Sequence, residues 1–345
     1  MSEGNLNQLL KSKETLPKPK KRSTWLLWVV LIIVIAVGVG IWFLLVREKP
    51  SVENPASENF GEEVNLTDKG KDLNEFNWSQ MEQGPYHDRV SFATGATLTD
   101  WTDSEKILAE HASVPDVLVK DATLYVYFVD VSQNGKPEQI GLLRSVDYGQ
   151  TWEEKVFATI QGLGDKVAVD PAPMLLEDGR IRLYYFDIGS TKTQGTENNT
   201  IYSAISSDGI NFTQETGFRF RKADIFDPDV VKIGDTWRMY VGTGNQQVLT
   251  AISQDGLTFT YEGVALNGGA IPNVVYENGT YYLFTGGIEI STSSDGETFT
   301  ETGKRFDSGG PTNDPGVAKL SNGTYFMVYK TDDGTKKPQN NPPVN

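Results

Sequence analysis

Two short motifs alternate along most of the chain after residue 90, and their recurrence constrains the fold more than any other feature of the sequence. The first motif is a Ser-x-Asp turn with an aromatic residue four or five positions after the aspartate. Its complete copies are centred on Asp147, Asp208, Asp255 and Asp295, and a degenerate copy ends at Trp101. The intervals between the four aspartates are 61, 47 and 40 residues. Repeats of this length with strand-like flanks are typical of propeller blades.

The second motif is a proline between two variable residues, followed by a short apolar strand, a polar turn and an aromatic-rich strand. Its five copies contain Pro115, Pro171, Pro228, Pro272 and Pro315. The pattern predicts aromatic-rich strands over residues 124–130, 181–187, 237–242, 281–285 and 325–329. Asn-Gly pairs at 278–279 and 322–323 favour two-residue hairpins. Each repeat therefore predicts four strands, of which the first begins at the proline.

The repeats are incomplete at both ends in a complementary way. The fifth repeat stops after its second strand, near residue 330, whereas residues 89–95 and 101–108 form a strand pair ahead of the first proline motif. If this N-terminal pair completes the last sheet, no sheet edge stays open. The sequence thus predicts an all-β, five-bladed β-propeller over residues 86–332, closed by its N-terminal strands.

Ahead of this domain, residues 25–46 contain no charged side chain. As a helix they span about 33 Å, which is enough for a bilayer core of about 30 Å. Six basic and two acidic residues in 1–24 place the N-terminus in the cytoplasm, and no signal-peptide cleavage site follows. We expect a basic cytoplasmic tail (1–24), an uncleaved signal anchor that crosses the cell membrane once (25–46), an extracytoplasmic linker (47–85) and a disordered tail (333–345).

Composition excludes several classes of function. The chain has no cysteine and 2 histidines, so disulfide scaffolds, cysteine nucleophiles, thiolate zinc sites and three-histidine metal sites are absent. A net charge of −15 argues against a nucleic-acid partner, which would need a basic face.

With both motifs considered, residues 86–332 resemble the five-bladed propeller glycosidases: arabinanases, β-xylosidases, levansucrases and invertases. The turn that contains Trp152 also resembles the Asp box of sialidases, but those enzymes have six blades and an arginine cluster that this chain lacks. The resemblance implies a monomer that acts on carbohydrate in a funnel on the propeller axis. It also implies three acids from the first three blades: a base or nucleophile, an orienting aspartate and a general acid.

This sequence matches the three acid positions of the family only in part. The position of the first acid, before the proline of the first repeat, holds Val114, and Asp116 follows that proline. The second position holds Asp170. The third, two residues before a proline, holds Phe226, with Asp227 beside it. The catalytic prediction is therefore Asp116 as base, with Asp170 and Asp227 as essential acids. The predicted substrate-binding residues also belong to the strand starts or adjoin them: Asp229, Asn273, Asp314 and His111.

Other interpretations of these residues remain open. The aspartates at strand starts also fit capping of backbone N–H groups, and a ring of carboxylates suits Ca²⁺ on the axis, although no cofactor is required. His111 fits either a residue that faces the funnel or a solvated loop histidine. The main functional prediction is a membrane-anchored extracytoplasmic glycoside hydrolase acting on polysaccharide or oligosaccharide. The alternative is a non-catalytic cell-surface propeller that binds a glycan or a protein partner.

Overall fold

The computed structural model describes residues 77–334 except 82–83, 190 and 192–195. The predicted cytoplasmic tail, the predicted membrane helix over 25–46 and most of the predicted linker and C-terminal tail lie outside these residues. Within the described part, no helix is both long enough and apolar enough to cross a bilayer.

The described residues form five sheets, antiparallel except for one short parallel pair in blade 2, and the predicted all-β five-bladed propeller is confirmed. Two long strands come first: β1 (Asp88–Thr97) and β2 (Asp100–Glu110). Blade 1 contains β3 (Ala112–Lys120), β4 (Thr123–Asp130), β5 (Gln139–Ser145) and β6 (Val156–Phe157). Blade 2 contains β7 (Thr159–Gln161), β8 (Ala168–Leu175), β9 (Ile181–Asp187), β10 (Thr200–Ser206), β11 (Asn211–Gln214) and β12 (Phe220–Arg221).

The remaining blades are four-stranded. Blade 3 contains β13 (Ile225–Ile233), β14 (Thr236–Thr243), β15 (Gln247–Ser253) and β16 (Thr260–Asn267). Blade 4 contains β17 (Asn273–Glu277), β18 (Thr280–Phe284), β19 (Glu289–Ser293) and β20 (Thr300–Arg305). Blade 5 begins with β21 (Asn313–Lys319) and β22 (Tyr325–Asp332). Short 3₁₀ helices lie at Trp78–Gln80, Pro85–His87, Thr196–Asn198 and Gly286–Ile288.

Blade 5 contains the first two and the last two strands of the propeller. Its strand order is β2-β1-β22-β21, and β1 pairs with β22 in an antiparallel register from Asp88 opposite Asp332 to Gly95 opposite Tyr325. The folded part also reaches past residues 86 and 332. Trp78 is buried, and its indole N–H donates to the carbonyl of Lys136 in blade 1 at 2.8 Å.

Blade 2 departs from the four-strand pattern. The short strand β7 leaves blade 1 and pairs in parallel with β11 on the outer edge of blade 2. The repeat pattern missed β7, because a strand of three residues is too short to show a period.

The Ser-x-Asp turns connect neighbouring blades through a repeated hydrogen bond. A buried tyrosine on the second strand of one blade donates its O–H to the carbonyl of the turn glycine in the next blade. The three pairs, each at 2.8 Å, are Tyr127 with Gly209, Tyr184 with Gly256 and Tyr240 with Gly296. The turn aromatics contact the same tyrosines edge-on: Phe212, Phe259 and Phe299. Each turn therefore provides an acceptor and a ring to the preceding blade.

We expect Tyr127→Phe to lower the free energy of unfolding by about 1–3 kcal/mol, because the buried carbonyl of Gly209 loses its donor. Tyr240→Phe should cost a similar amount at Gly296. Urea unfolding of the full-length chain measures the change. Tyr276→Phe, at a ring that is 38% exposed, is the control and should leave the midpoint unchanged. Equal midpoints for all three variants would show that the bond between blades adds no stability.

Candidate functional site on the propeller axis

All five residues that precede the motif prolines have a left-handed backbone. Their φ angles are between 45° and 57°: Val114, Asp170, Asp227, Ile271 and Asp314. A residue before proline normally avoids helical conformations and prefers extended backbone, and branched side chains are rare at positive φ. Each such residue stores about 1–3 kcal/mol of strain, of the kind that clusters at functional sites. In four blades the first strand also carries a register shift at this point.

The strand starts converge on a funnel at the axis. Its lining consists of the five motif prolines, five aspartates, Val114, Ile271 and Asn273. The enclosed space between them measures about 20 Å³. A cavity needs about 10–15 Å³ to hold one water molecule, so a larger ligand would lie at the open mouth of the funnel. No aromatic ring is among these lining residues.

The residues before the prolines form the first of two layers, called here the pre-proline layer: Asp170, Asp227 and Asp314. Asp170 and Asp227 are partly exposed, whereas Asp314 is 2% exposed. The backbone N–H of Asp227 donates to Oδ2 of Asp170 at 3.3 Å. Nζ of Lys330 lies 2.7 Å from Oδ2 of Asp314. Three carboxyl groups and one ammonium group therefore share this layer.

Burial, together with the charges of Asp170 and Asp314, raises the pKa of Asp227 well above its usual value. Burial also raises the pKa of Asp170 to about 7, opposed by hydrogen bonds from Asp227 and by the charge of Lys330. At neutral pH the pair therefore retains a proton, which we place on Asp227. A neutral carboxylic acid beside a carboxylate is the arrangement that supports acid–base chemistry.

The residues after the prolines form the second layer, called here the post-proline layer: Asp116, Asp229 and Asn273. Oδ1 of Asp116 accepts the N–H of Val117 at 2.7 Å and an amide N–H of Asn273 at 3.3 Å. Oδ1 of Asn273 in turn accepts the N–H of Val317 in blade 5 at 2.9 Å. Asp116 and Asn273 thus connect blades 1, 4 and 5 across the axis.

Asp229 closes the other side of this layer. Its Oδ2 accepts the N–H of Val274 in blade 4 at 2.5 Å. Burial raises the pKa of Asp229 to about 7, with the N–H groups of Val274 and Val230 opposing it. Burial and the charge of Asp229 together raise the pKa of Asp116 well above its usual value. In the post-proline layer, carboxylate oxygens therefore cap backbone N–H groups. The layer also brings together the carboxyl groups of Asp116 and Asp229, whose negative charges repel each other.

Six of the seven predicted site residues line this funnel, in two layers: Asp116, Asp170, Asp227, Asp229, Asn273 and Asp314. His111 is not among the lining residues. Its ring stacks on Tyr86 with centroids 3.8 Å apart, and its Nδ1 lies 2.5 Å from the carbonyl oxygen of Tyr86. The histidine is held there by Tyr86, in the short segment before β1 for which the sequence predicts no strand.

Sequence reasoning missed Lys330. The sequence predicts the last aromatic-rich strand over 325–329, with the repeat ending near residue 330, whereas β22 continues to Asp332 and carries Lys330 in its interior. The available signal was the one charged residue that directly follows the apolar run 325–329.

Among the residues that the structure describes, no group of three or more carboxylate or imidazole side chains is arranged to hold a metal ion. The Ca²⁺ alternative stays a prediction.

No protein-family model and no curated protein sequence matches the chain. Solved structures do share its fold. A GH32 β-fructofuranosidase from Bombyx mori superposes with a TM-score of 0.52 and 17% identity, covering 71% of this chain and 58% of that enzyme. An α-L-arabinofuranosidase from Clostridium thermocellum, of the GH43 type, gives a TM-score of 0.50 and 18% identity, covering 63% and 81%.

A variant of the Bombyx mori enzyme in complex with sucrose gives 0.51 and 18%, again covering 71% and 58%. The chain thus spans less than two thirds of the length of the fructofuranosidase. The predicted resemblance to five-bladed propeller glycosidases is confirmed at the level of the fold.

Gly316 has no room for a side chain. A Cβ at this position would lie 2.6 Å from Cα of Asp116 and 2.9 Å from the carbonyl oxygen of Pro115. We expect Gly316→Ala to lower the free energy of unfolding by about 1–3 kcal/mol or more, because backbone must move. Gly263→Ala is the control, since no heavy atom lies within 4 Å of its Cβ position. Urea unfolding of the two variants should separate them clearly; equal stability would mean that blades 1 and 5 are not in close contact at the axis.

The raised pKa of Asp229 makes stability depend on pH. Between about pH 4 and pH 7 the folded state retains a proton that the unfolded state has lost, so the free energy of unfolding falls as the pH rises. Asp229→Asn removes this fall and preserves an acceptor for Val274. Relative to wild type, the variant should gain up to ~4 kcal/mol on going from pH 4 to pH 8. Asp235→Asn, in an exposed turn, should parallel wild type. A constant difference between Asp229→Asn and wild type at all pH values would contradict the assignment.

Proposed function

We propose that the propeller is a glycoside hydrolase-like domain that acts on a carbohydrate in the axial funnel. The observation that carries the proposal is the pre-proline layer, in which Asp170 and Asp227 are adjacent and partly exposed and burial raises the pKa of both carboxyl groups. Glycoside hydrolysis requires one carboxylic acid and one carboxylate at the scissile bond. The fold shared with fructofuranosidase and arabinofuranosidase structures supports the same class of reaction.

In this mechanism Asp227 acts as the general acid and transfers its proton to the oxygen of the leaving group as the glycosidic bond breaks. Asp170 is in hydrogen-bond contact with Asp227 and holds its proton. It lies too close to Asp227 to act across the glycosidic bond, where the two catalytic carboxyl groups stand about 5–9.5 Å apart. The base that takes a proton from the water molecule whose oxygen bonds to the anomeric carbon is therefore a third group, so that both products leave as hydroxyl compounds, and Asp116 is the predicted candidate. The catalytic role predicted for Asp116 stays a prediction, and the two hydrogen bonds that its Oδ1 accepts favour capping.

The substrate enters this proposal by analogy. The enclosed part of the funnel measures about 20 Å³, so a carbohydrate would bind at its open mouth. The two enzymes of similar fold act, by their names, on fructofuranosides and arabinofuranosides. Furanosides of an oligosaccharide or polysaccharide are therefore the first substrates to test.

The proposal places the domain on the outer face of a cell membrane. It rests here on sequence alone: the uncharged segment 25–46 and the excess of basic residues before it. A tethered, extracytoplasmic propeller would meet polysaccharide at the cell surface.

A non-catalytic glycan- or protein-binding propeller is the second candidate function. It is favoured by Val114, which occupies the strand start where the resemblance implies the first acid. An apolar, branched side chain at that point neither accepts nor donates a proton.

We expect Asp170→Asn and Asp227→Asn each to lower hydrolysis by about 10²-fold or more, because Asp227→Asn removes the proton donor and Asp170→Asn removes the carboxylate that holds its proton. The assay measures sugar release by the full-length chain in mild detergent from sucrose, levan, inulin, arabinan and an α-L-arabinofuranoside. Asp235→Asn is the matched control, since it makes the same change in an exposed turn of blade 3 and should retain full activity.

Activity retained in both funnel variants would contradict the catalytic assignment. Absence of release by folded wild-type protein from the whole panel, with saturable binding of one of these glycans, would favour the non-catalytic alternative.

A further inference from the structure

Lys330 occupies an unusual position for a lysine. On β22 its backbone lies between two strands, opposite Asn313 of β21 on one side and Val90 of β1 on the other. Its ammonium points to the pre-proline layer, with Nζ 2.7 Å from Oδ2 of Asp314. The Asp314 side chain is only 3% exposed and that of Lys330 is 23% exposed. An ion pair in this setting carries a desolvation cost that an apolar pair would avoid.

The groups that face Lys330 come from four different strands. Asp314 on β21 and Asp88 on β1 are the strongest influences, and Asp227 on β13 and Asp170 on β8 also interact with its charge. Although burial opposes it, these carboxylates raise the pKa of Lys330 above its usual value. The lysine therefore stays an ammonium across the working pH range.

We propose that Lys330 is a positioning residue, whose half-buried ammonium neutralises Asp314 and thereby keeps the Asp170–Asp227 pair at one shared proton. Three carboxyl groups in a narrow layer without a cation would retain more protons, since like charges at short range disfavour ionisation. With Asp314 neutralised, one negative charge can remain on the pair while its other member stays protonated. The consequence of this inference for catalysis rests on the proposed function. The effect of Lys330 on the protonation of the Asp170–Asp227 pair does not.

The proposal predicts that substitutions of Lys330 and of Asp314 shift the titration of the Asp170–Asp227 pair in opposite directions. Lys330→Met removes the cation and leaves the repulsion from Asp314, so the Asp170–Asp227 pair should ionise at higher pH. Asp314→Asn removes the repulsion and leaves the cation, so the pair should ionise at lower pH. Each shift should be about 1–2 pH units, the effect of one charge at about 4–6 Å. A merely structural ion pair would lower stability in both variants without moving the two titrations in opposite directions.

The experiment is a carbon-13 NMR titration of the full-length chain labelled at the aspartate carboxyl carbons. Signals of the pair are assigned by their loss in Asp170→Asn and Asp227→Asn. Lys330→Met is compared with Lys330→Arg, which keeps the charge and should keep the wild-type midpoint. The matched control is Lys319→Met, on the same blade, where Nζ is also 2.7 Å from a carboxylate, that of Glu277, but away from the axis.

A midpoint that rises in Lys330→Met, falls in Asp314→Asn and is unchanged in Lys330→Arg and Lys319→Met would establish the proposal. Unchanged midpoints in folded Lys330→Met would overturn it. If Lys330→Met does not fold, the downward shift in Asp314→Asn decides the question, and its absence overturns the proposal.

Where hydrolysis is measurable, the acidic limb of the kcat/KM profile should move with the carboxyl midpoint in each variant. The two proposals can fail separately. Shifted carboxyl midpoints without any hydrolysis would support the role of Lys330 and contradict the proposed hydrolase. Hydrolysis with unshifted midpoints would support the hydrolase and contradict the role of Lys330.

Discussion

The left-handed residue before each motif proline is the constraint on which the site depends. Five strand starts adopt this backbone, including those at Val114 and Ile271, where the side chain itself disfavours it. The backbone strain at this residue recurs in all five blades, so contacts between blades must offset its energetic cost. The tyrosine-to-glycine hydrogen bonds and the turn aromatics supply such contacts on the outer side. What the strain provides is a set of side chains aimed at one axis from five separate sheets.

That convergence creates an electrostatic problem, which the two layers solve differently. In the post-proline layer Asp116 and Asp229 are buried, and backbone N–H groups hold their oxygens. In the pre-proline layer Lys330 contacts Asp314, the N–H of Asp227 donates to Asp170, and the raised pKa values of Asp170 and Asp227 leave a proton on that pair. The first solution locks the carboxyl groups in place, whereas the second leaves a proton that can be transferred. The distinction favours proton donation from the Asp170–Asp227 pair over proton donation from Asp116.

The sequence predicts the blades well because each repeat carries its own local signals. The span 181–187 was placed without error, and the other aromatic-rich strands were placed to within one to three residues at each end. The six funnel residues were found for the same reason, since the proline marks the strand start. Lys330 was missed because its importance comes from Asp314 and Asp88, which are neighbours only in space. His111 was predicted as a substrate-binding residue, but its ring stacks on Tyr86 instead. Tyr86 belongs to a segment without any period, so no sequence pattern indicated this contact.

The pairing of β1 with β22 has a consequence for how the protein reaches its folded state. His87 and Asp333, which are in contact across this seam, are 246 residues apart in the chain. During synthesis at about 5–20 residues per second, the first two strands wait on the order of 10–50 s for their partners. Four blades are complete in sequence before the ring can close, and until then β1 and β22 lack each other as hydrogen-bonding partners. Closure is therefore the slow, non-local step, and the unpaired edges are a target for chaperones and for aggregation.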